Sequence, residues 1–75
     1  MNKNRRNRLS KASEFLTQAS DILSVIIDEE SDAIDNMPEN LQYSDRYEQM
    51  EDVVDTLNEA AENIDEAIEK ISEVI

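Results

Sequence analysis

Apolar residues in the second half of the chain recur at alternating intervals of three and four: Tyr47, Met50, Val54, Leu57, Ala61, Ile64, Ile68, Ile71 and Ile75. A heptad rhythm held over a whole segment is the signature of a long helix with one apolar seam. The first half follows the same alternation through Leu9, Ala12, Leu16, Ala19, Leu23, Ile26, Glu30, Ala33 and Met37, with Glu30 its one charged member. The pattern predicts helix 1 over about 7–36 and helix 2 over about 44–74, with residues 1–6 a basic arm free to fray. Each helix would be roughly 45 Å long at 1.5 Å per residue.

Residues 37–43 are expected to form the turn. Pro38 disfavours a helical conformation at Met37 and cannot continue the first helix's hydrogen bonding. Ser44 suits an N-cap, and Asp45 places a favourable charge in the first turn that follows. So short a link makes the two helices lie side by side and antiparallel. With the turn centred near Asn40, facing residues add to about 80: Ala33 with Tyr47, Glu30 with Met50, Ile26 with Val54, Leu23 with Leu57, Ala19 with Ala61, Leu16 with Ile64, Ala12 with Ile68 and Leu9 with Ile71. The expected fold is all-α: a single hairpin domain over residues 1–75, coiled-coil-like.

One seam seldom stabilises so short a chain. The heptad positions preceding each a residue supply a second apolar row: Phe15 and Ile22 on helix 1, Val53, Ala60, Ala67 and Val74 on helix 2. In an antiparallel pair these g positions share one side of the hairpin, while the e positions of helix 2 (Glu51, Asn58, Asp65 and Ser72) are polar. One apolar flank and one wet flank point to a homodimer, a two-fold four-helix bundle, or to another helical partner on the same flank. Ile27 and Ile34 are expected on the opposite flank near the turn, covering Leu41 and Met37 or widening the interface.

Composition narrows the chemistry. The 75 residues include no histidine, cysteine, glycine or tryptophan. That removes the usual near-neutral proton shuttle, the thiol nucleophile, the zinc site and the phosphate-cradling loop. No cofactor, metal or small-molecule substrate is expected, and no enzymatic activity. The absence of glycine also disfavours turns that need positive φ, in keeping with long helices. The longest apolar run, Val25-Ile26-Ile27, is too short to cross a bilayer, and the cysteine-free chain fits a cytoplasmic setting.

Charge is unevenly spread. Lys3, Arg5, Arg6, Arg8 and Lys11 give +5 over residues 1–11, whereas Arg46 and Lys70 against all nineteen acids give −17 over the rest. In the hairpin the arm would neighbour the C-terminal acids Glu69 and Glu73, and pairing between them is the simplest use of the bases; nucleic-acid contact by the arm is a weaker candidate. Glu48, Asp52, Asp55, Glu59, Glu62, Glu66, Glu69 and Glu73 form an acidic row opposite the seam of helix 2. Such a row is ordinarily a solvated face, but its spacing of about 5 Å per charge also suits an acidic decoy for a basic host protein. Asp28, Glu29, Glu30, Asp32 and Asp35 form a denser cluster on a helix, without the glycine-bent loop that an oxygen-ligand metal site requires. Glu30 is instead expected to set the register or to pair with Arg46 or a neighbouring chain's base.

The stretch from Met37-Pro38-Glu39-Asn40-Leu41-Gln42-Tyr43-Ser44 through Asp45-Arg46-Tyr47-Glu48-Gln49-Met50-Glu51, continuing to Ile68, resembles short helical-hairpin proteins encoded by phages and prophages of low-GC Gram-positive bacteria. A PENLQxSxRYExME segment recurs in them, and the likeness spans residues 37–71. It implies a hairpin architecture and a phage origin. It also adds weight to inhibition of a host nucleic-acid-binding or defence enzyme as an alternative role.

Overall fold

The computed structural model describes residues 1–42 and 44–75; Tyr43, the last residue of the expected turn, lies outside the described residues. Helix α1 runs Lys3–Asp35 and helix α2 runs Asp45–Val74, joined by a link containing a single 3₁₀ turn, Glu39–Leu41. The helices pack along one another as an antiparallel hairpin. The molecule is a rod of 60 × 14 × 12 Å with a radius of gyration of 17.3 Å, where a compact chain of this length would have about 11 Å.

Local chemistry accounts for each helix end. Asn2 is extended (φ −82°, ψ 168°) and its side-chain oxygen accepts from the Arg5 amide at 2.8 Å. That cap starts α1 at Lys3, so the segment expected to fray is helical. At the other end the Asn36 amide donates to Asp32 O at 3.0 Å and the Met37 amide to Ile34 O at 3.1 Å, after which Pro38 turns extended at φ −56°, ψ 143°. The link folds back through Leu41 N to Pro38 O at 2.9 Å and Gln42 N to Glu39 O at 3.2 Å. Ser44 does double duty: its hydroxyl donates to Leu41 O at 2.7 Å and accepts from the Tyr47 amide at 3.3 Å. Among the described residues no φ is positive, so the link needs no glycine.

The seam differs from the expected one on α1. Half-buried positions there run Leu9, Ser13, Leu16, Ser20, Leu23, Ile27, Glu30, Ile34 and Met37, with Ser10, Ala19 and Ser31 half-buried beside them, while Ala12 and Ala33 are exposed and Ile26 is 38% exposed. On α2 they run Tyr47, Met50, Val54, Leu57, Ala61, Ile64, Ile68 and Ile71, as the pattern predicts. Helix α1 is therefore rotated by roughly 50° from the expected face, which is the angle between an a/d and an a/e stripe at 100° per residue. The rotation turns Ile27 and Ile34 inward in place of Ile26 and Ala33, so more apolar volume faces α2 near the link. Its cost is that Ser13 replaces Ala12 and Ser20 joins Ala19 further along. Ser20 meets that cost by donating to Asp65 Oδ1 at 3.1 Å.

The register is displaced as well. The Ser20–Asp65 bond and a shallow depression lined by Ser31, Ile34, Asp35, Glu51, Val54 and Asp55 bring together residues whose numbers add to about 85. With the two seams in phase, facing numbers add to 84, as for Leu9 with Ile75, Leu16 with Ile68 and Ile27 with Leu57. Relative to the expected 80, one helix has slid four residues along the other, about 6 Å.

Candidate interaction surface

Among the described residues none is buried, and the rod has no closed core. The one side-chain hydrogen bond between the helices among the described residues, Ser20 to Asp65, lies on the polar e flank. The opposite flank holds the residues singled out for docking. Phe15 is 59% exposed, Ile22 62%, Val53 48% and Val74 51%, and Ala60 and Ala67 are half-buried beside the seam. Rotation of α1 adds members that the heptad reading assigned to the seam: Ala12 and Ile26 now belong to this face, with Ala19 at its border. On α2, Val53 and Leu57 border a shallow depression with Asp52 and Thr56. A count of apolar volume at the e positions, where Ile27 and Ile34 outweigh Ala33, was the signal in the sequence that could have revealed the rotation.

Phe15 is not bare. The Lys11 ammonium stands 5.5 Å from the centre of its ring and also pairs with Glu14 at 3.6 Å. Such a cation–π contact covers one ring face while leaving the hydrocarbon accessible.

Among the described residues the basic arm does not meet the C-terminal acids of its own chain. Lys3, Arg5, Arg6 and Arg8 are exposed on α1, and among the described residues the ion pair is Lys11–Glu14. The expected pairing of Arg5, Arg8 and Lys11 with Glu69 and Glu73 is absent: Arg5 and Arg8 lie beyond the level of Ile75, and Lys11, level with Glu73, pairs instead with Glu14. Met1, Arg5, Arg8 and Leu9 line a small apolar depression there.

Glu48, Asp52, Asp55, Glu59, Glu62, Glu66, Glu69 and Glu73 are all exposed along α2, and none has an ion-pair partner among the described residues. The row covers about 37 Å of helix. Asp28, Glu29, Asp32 and Asp35 are exposed around α1, and no group of three or more potential ligands converges among the described residues. Glu30 is half-buried in the seam, level with Val54, and is not paired with Arg46. Among the described residues no helix is long and apolar enough to cross a membrane.

The structure is thus an all-α helical hairpin with an uncovered apolar flank. Comparison with protein-family models, with curated proteins and with solved structures gives no match.

Proposed function

We propose that this chain is a non-enzymatic interaction module that acts through protein–protein contact, with a second copy of itself seated on the apolar flank. One observation carries the reading: no described residue is buried, while Phe15, Ile22, Val53 and Val74 stand about half exposed along the same flank. Hydrophobic burial is the main stabilising term for a small domain, and a two-helix rod leaves much of it unused. Packing two such flanks together makes a four-helix bundle in which both would be covered. The cysteine-free composition fits a reducing cytoplasm as the setting.

Sedimentation equilibrium or light scattering tests this. The unmodified chain should show twice its 8.6 kDa mass, and Phe15→Ser with Ile22→Ser should return it to a monomer of lower helicity. A monomeric mass at all concentrations, with or without the substitutions, would overturn the proposal.

A second reading draws on a separate feature, the exposed and unpaired acidic row from Glu48 to Glu73. A regular line of carboxylates can occupy a basic nucleic-acid groove on another protein. Its mark would be salt-sensitive inhibition of a basic nucleic-acid enzyme, abolished by charge reversal along the row with circular dichroism unchanged. Inhibition that survives the reversal would exclude the row.

A further inference from the structure

We infer that the second copy docks in the reverse direction, about a two-fold axis perpendicular to the rod near Ala19, so that the arm end of each copy lies beside the link end of the other. This inference rests on the self-association proposed above and adds its geometry.

Area supports a second copy as occupant. The chain exposes 5862 Å² at a mass of 8.6 kDa, whereas a compact monomer of that mass exposes about 4,700 Å². The excess of roughly 1,200 Å² per chain exceeds the ~800 Å² per partner that a stable interface of ordinary size buries.

Charge decides the direction. Position 21 stands level with 63, and this level divides the rod into two halves. The arm half, residues 1–21 and 63–75, has six bases and six acids and is neutral; the link half, residues 22–62, has Arg46 against thirteen acids and carries the whole net charge of −12. Two copies aligned the same way would set −12 against −12 along half their length. Reversed copies set each acidic half against a neutral half whose arm carries five exposed bases. Like charges at the spacing of packed helices repel, and the reversed arrangement removes that repulsion between halves and sets the arm's bases beside the acidic half.

The uncovered flank of α1, exposed except at the half-buried Ala19, is itself built for reversal. Ala12, Phe15, Ala19, Ile22 and Ile26 alternate by three and four, with Ala12 and Ile26 equidistant from Ala19. The same stripe continues to Arg8 at one end and Glu29 at the other. Reversal about Ala19 brings Arg8 of one copy to within one residue of the level of Glu29 of its partner, and the small Ala19 at the axis allows the helices to approach closely.

The absence of native cysteine permits a direct test. Asn7→Cys, at an exposed polar position, is spin-labelled in the full chain and the label-to-label distance is measured in the dimer by pulsed electron resonance. Reversed copies place the two labels about 36 Å apart, being twelve residues from the axis on each side; copies aligned the same way place them within ~20 Å, the width of a four-helix bundle. Mixing Asn7-labelled with Asn36-labelled chains should give the converse, a short distance. A dimeric mass with close Asn7 labels would overturn the direction and leave self-association standing. A monomeric mass with no interchain distance would remove self-association itself, and a hetero-partner would then be the flank's occupant.

Discussion

The displaced register makes a sharp prediction, because a slide of four residues separates pairs that a disulfide can join from pairs that it cannot. Leu16 and Ile68 stand level at a sum of 84, whereas Leu16 and Ile64, level at a sum of 80, are offset by about 6 Å along the axis. Added to the lateral separation of packed helices, that offset exceeds the ~7 Å Cα spacing a disulfide tolerates. Leu16→Cys with Ile68→Cys should therefore oxidise within one chain, and Leu16→Cys with Ile64→Cys should not without distortion. Closing a loop of about 50 residues restricts the unfolded chain by about 4 kcal/mol on the chain-entropy model, less any native strain. The assay is the urea midpoint of the same variant oxidised and reduced, which cancels the cost of replacing two half-buried aliphatic residues. Non-reducing electrophoresis confirms that the bond is intramolecular. Ready closure and stabilisation of the 16–64 pair, with the 16–68 pair remaining reduced, would refute the register and with it the level assignments on which the arm's position rests.

Other consequences follow from the rotation and the caps. Ile27→Ser should lower stability by roughly 1–2 kcal/mol, the lower part of the large-to-small range because the site is half-buried, and the loss should not depend on protein concentration; Ile26→Ser should act chiefly through a concentration-dependent shift in thermal midpoint, and equal concentration-independent losses at both sites would contradict the seam. Asn2→Ala removes the side-chain acceptor for the Arg5 amide; a cap contributes about 1 kcal/mol, so carbon chemical shifts of Lys3 to Arg6 should move toward coil values while those beyond Leu9 stay helical. Ser44→Ala removes both the Tyr47 cap and the bond to Leu41 O and should destabilise the hairpin by about 1–2 kcal/mol in denaturant unfolding. An unchanged midpoint would show that the link is held by Pro38 and the 3₁₀ turn alone.

Two long helices, their antiparallel return at Pro38, the cap at Ser44 and the α2 seam were all legible in the residue pattern, because each depends on local periodicity or on a single residue's backbone preference. The start of α1 was legible in principle from Asn2, but the run of bases that follows opposes the helix dipole and hid the signal. The α1 seam was not. Its a positions are shared by two stripes, one through Ala12, Ala19, Ile26 and Ala33 and the other through Ser13, Ser20, Ile27 and Ile34. Heptad spacing prefers the first for its run of apolar members; packing against α2 selects the second, because the larger side chains at 27 and 34 fill more of the groove near the link.

The sequence alone determined that the chain is a charged two-helix rod with more apolar positions than one seam can hold, since periodicity and composition are properties of neighbouring residues. Which side of α1 meets α2, at what level, and hence which apolar row and which bases stay uncovered, was decided only by tertiary packing. That choice turns on volumes and one hydrogen bond between residues 45 positions apart, which no local pattern encodes.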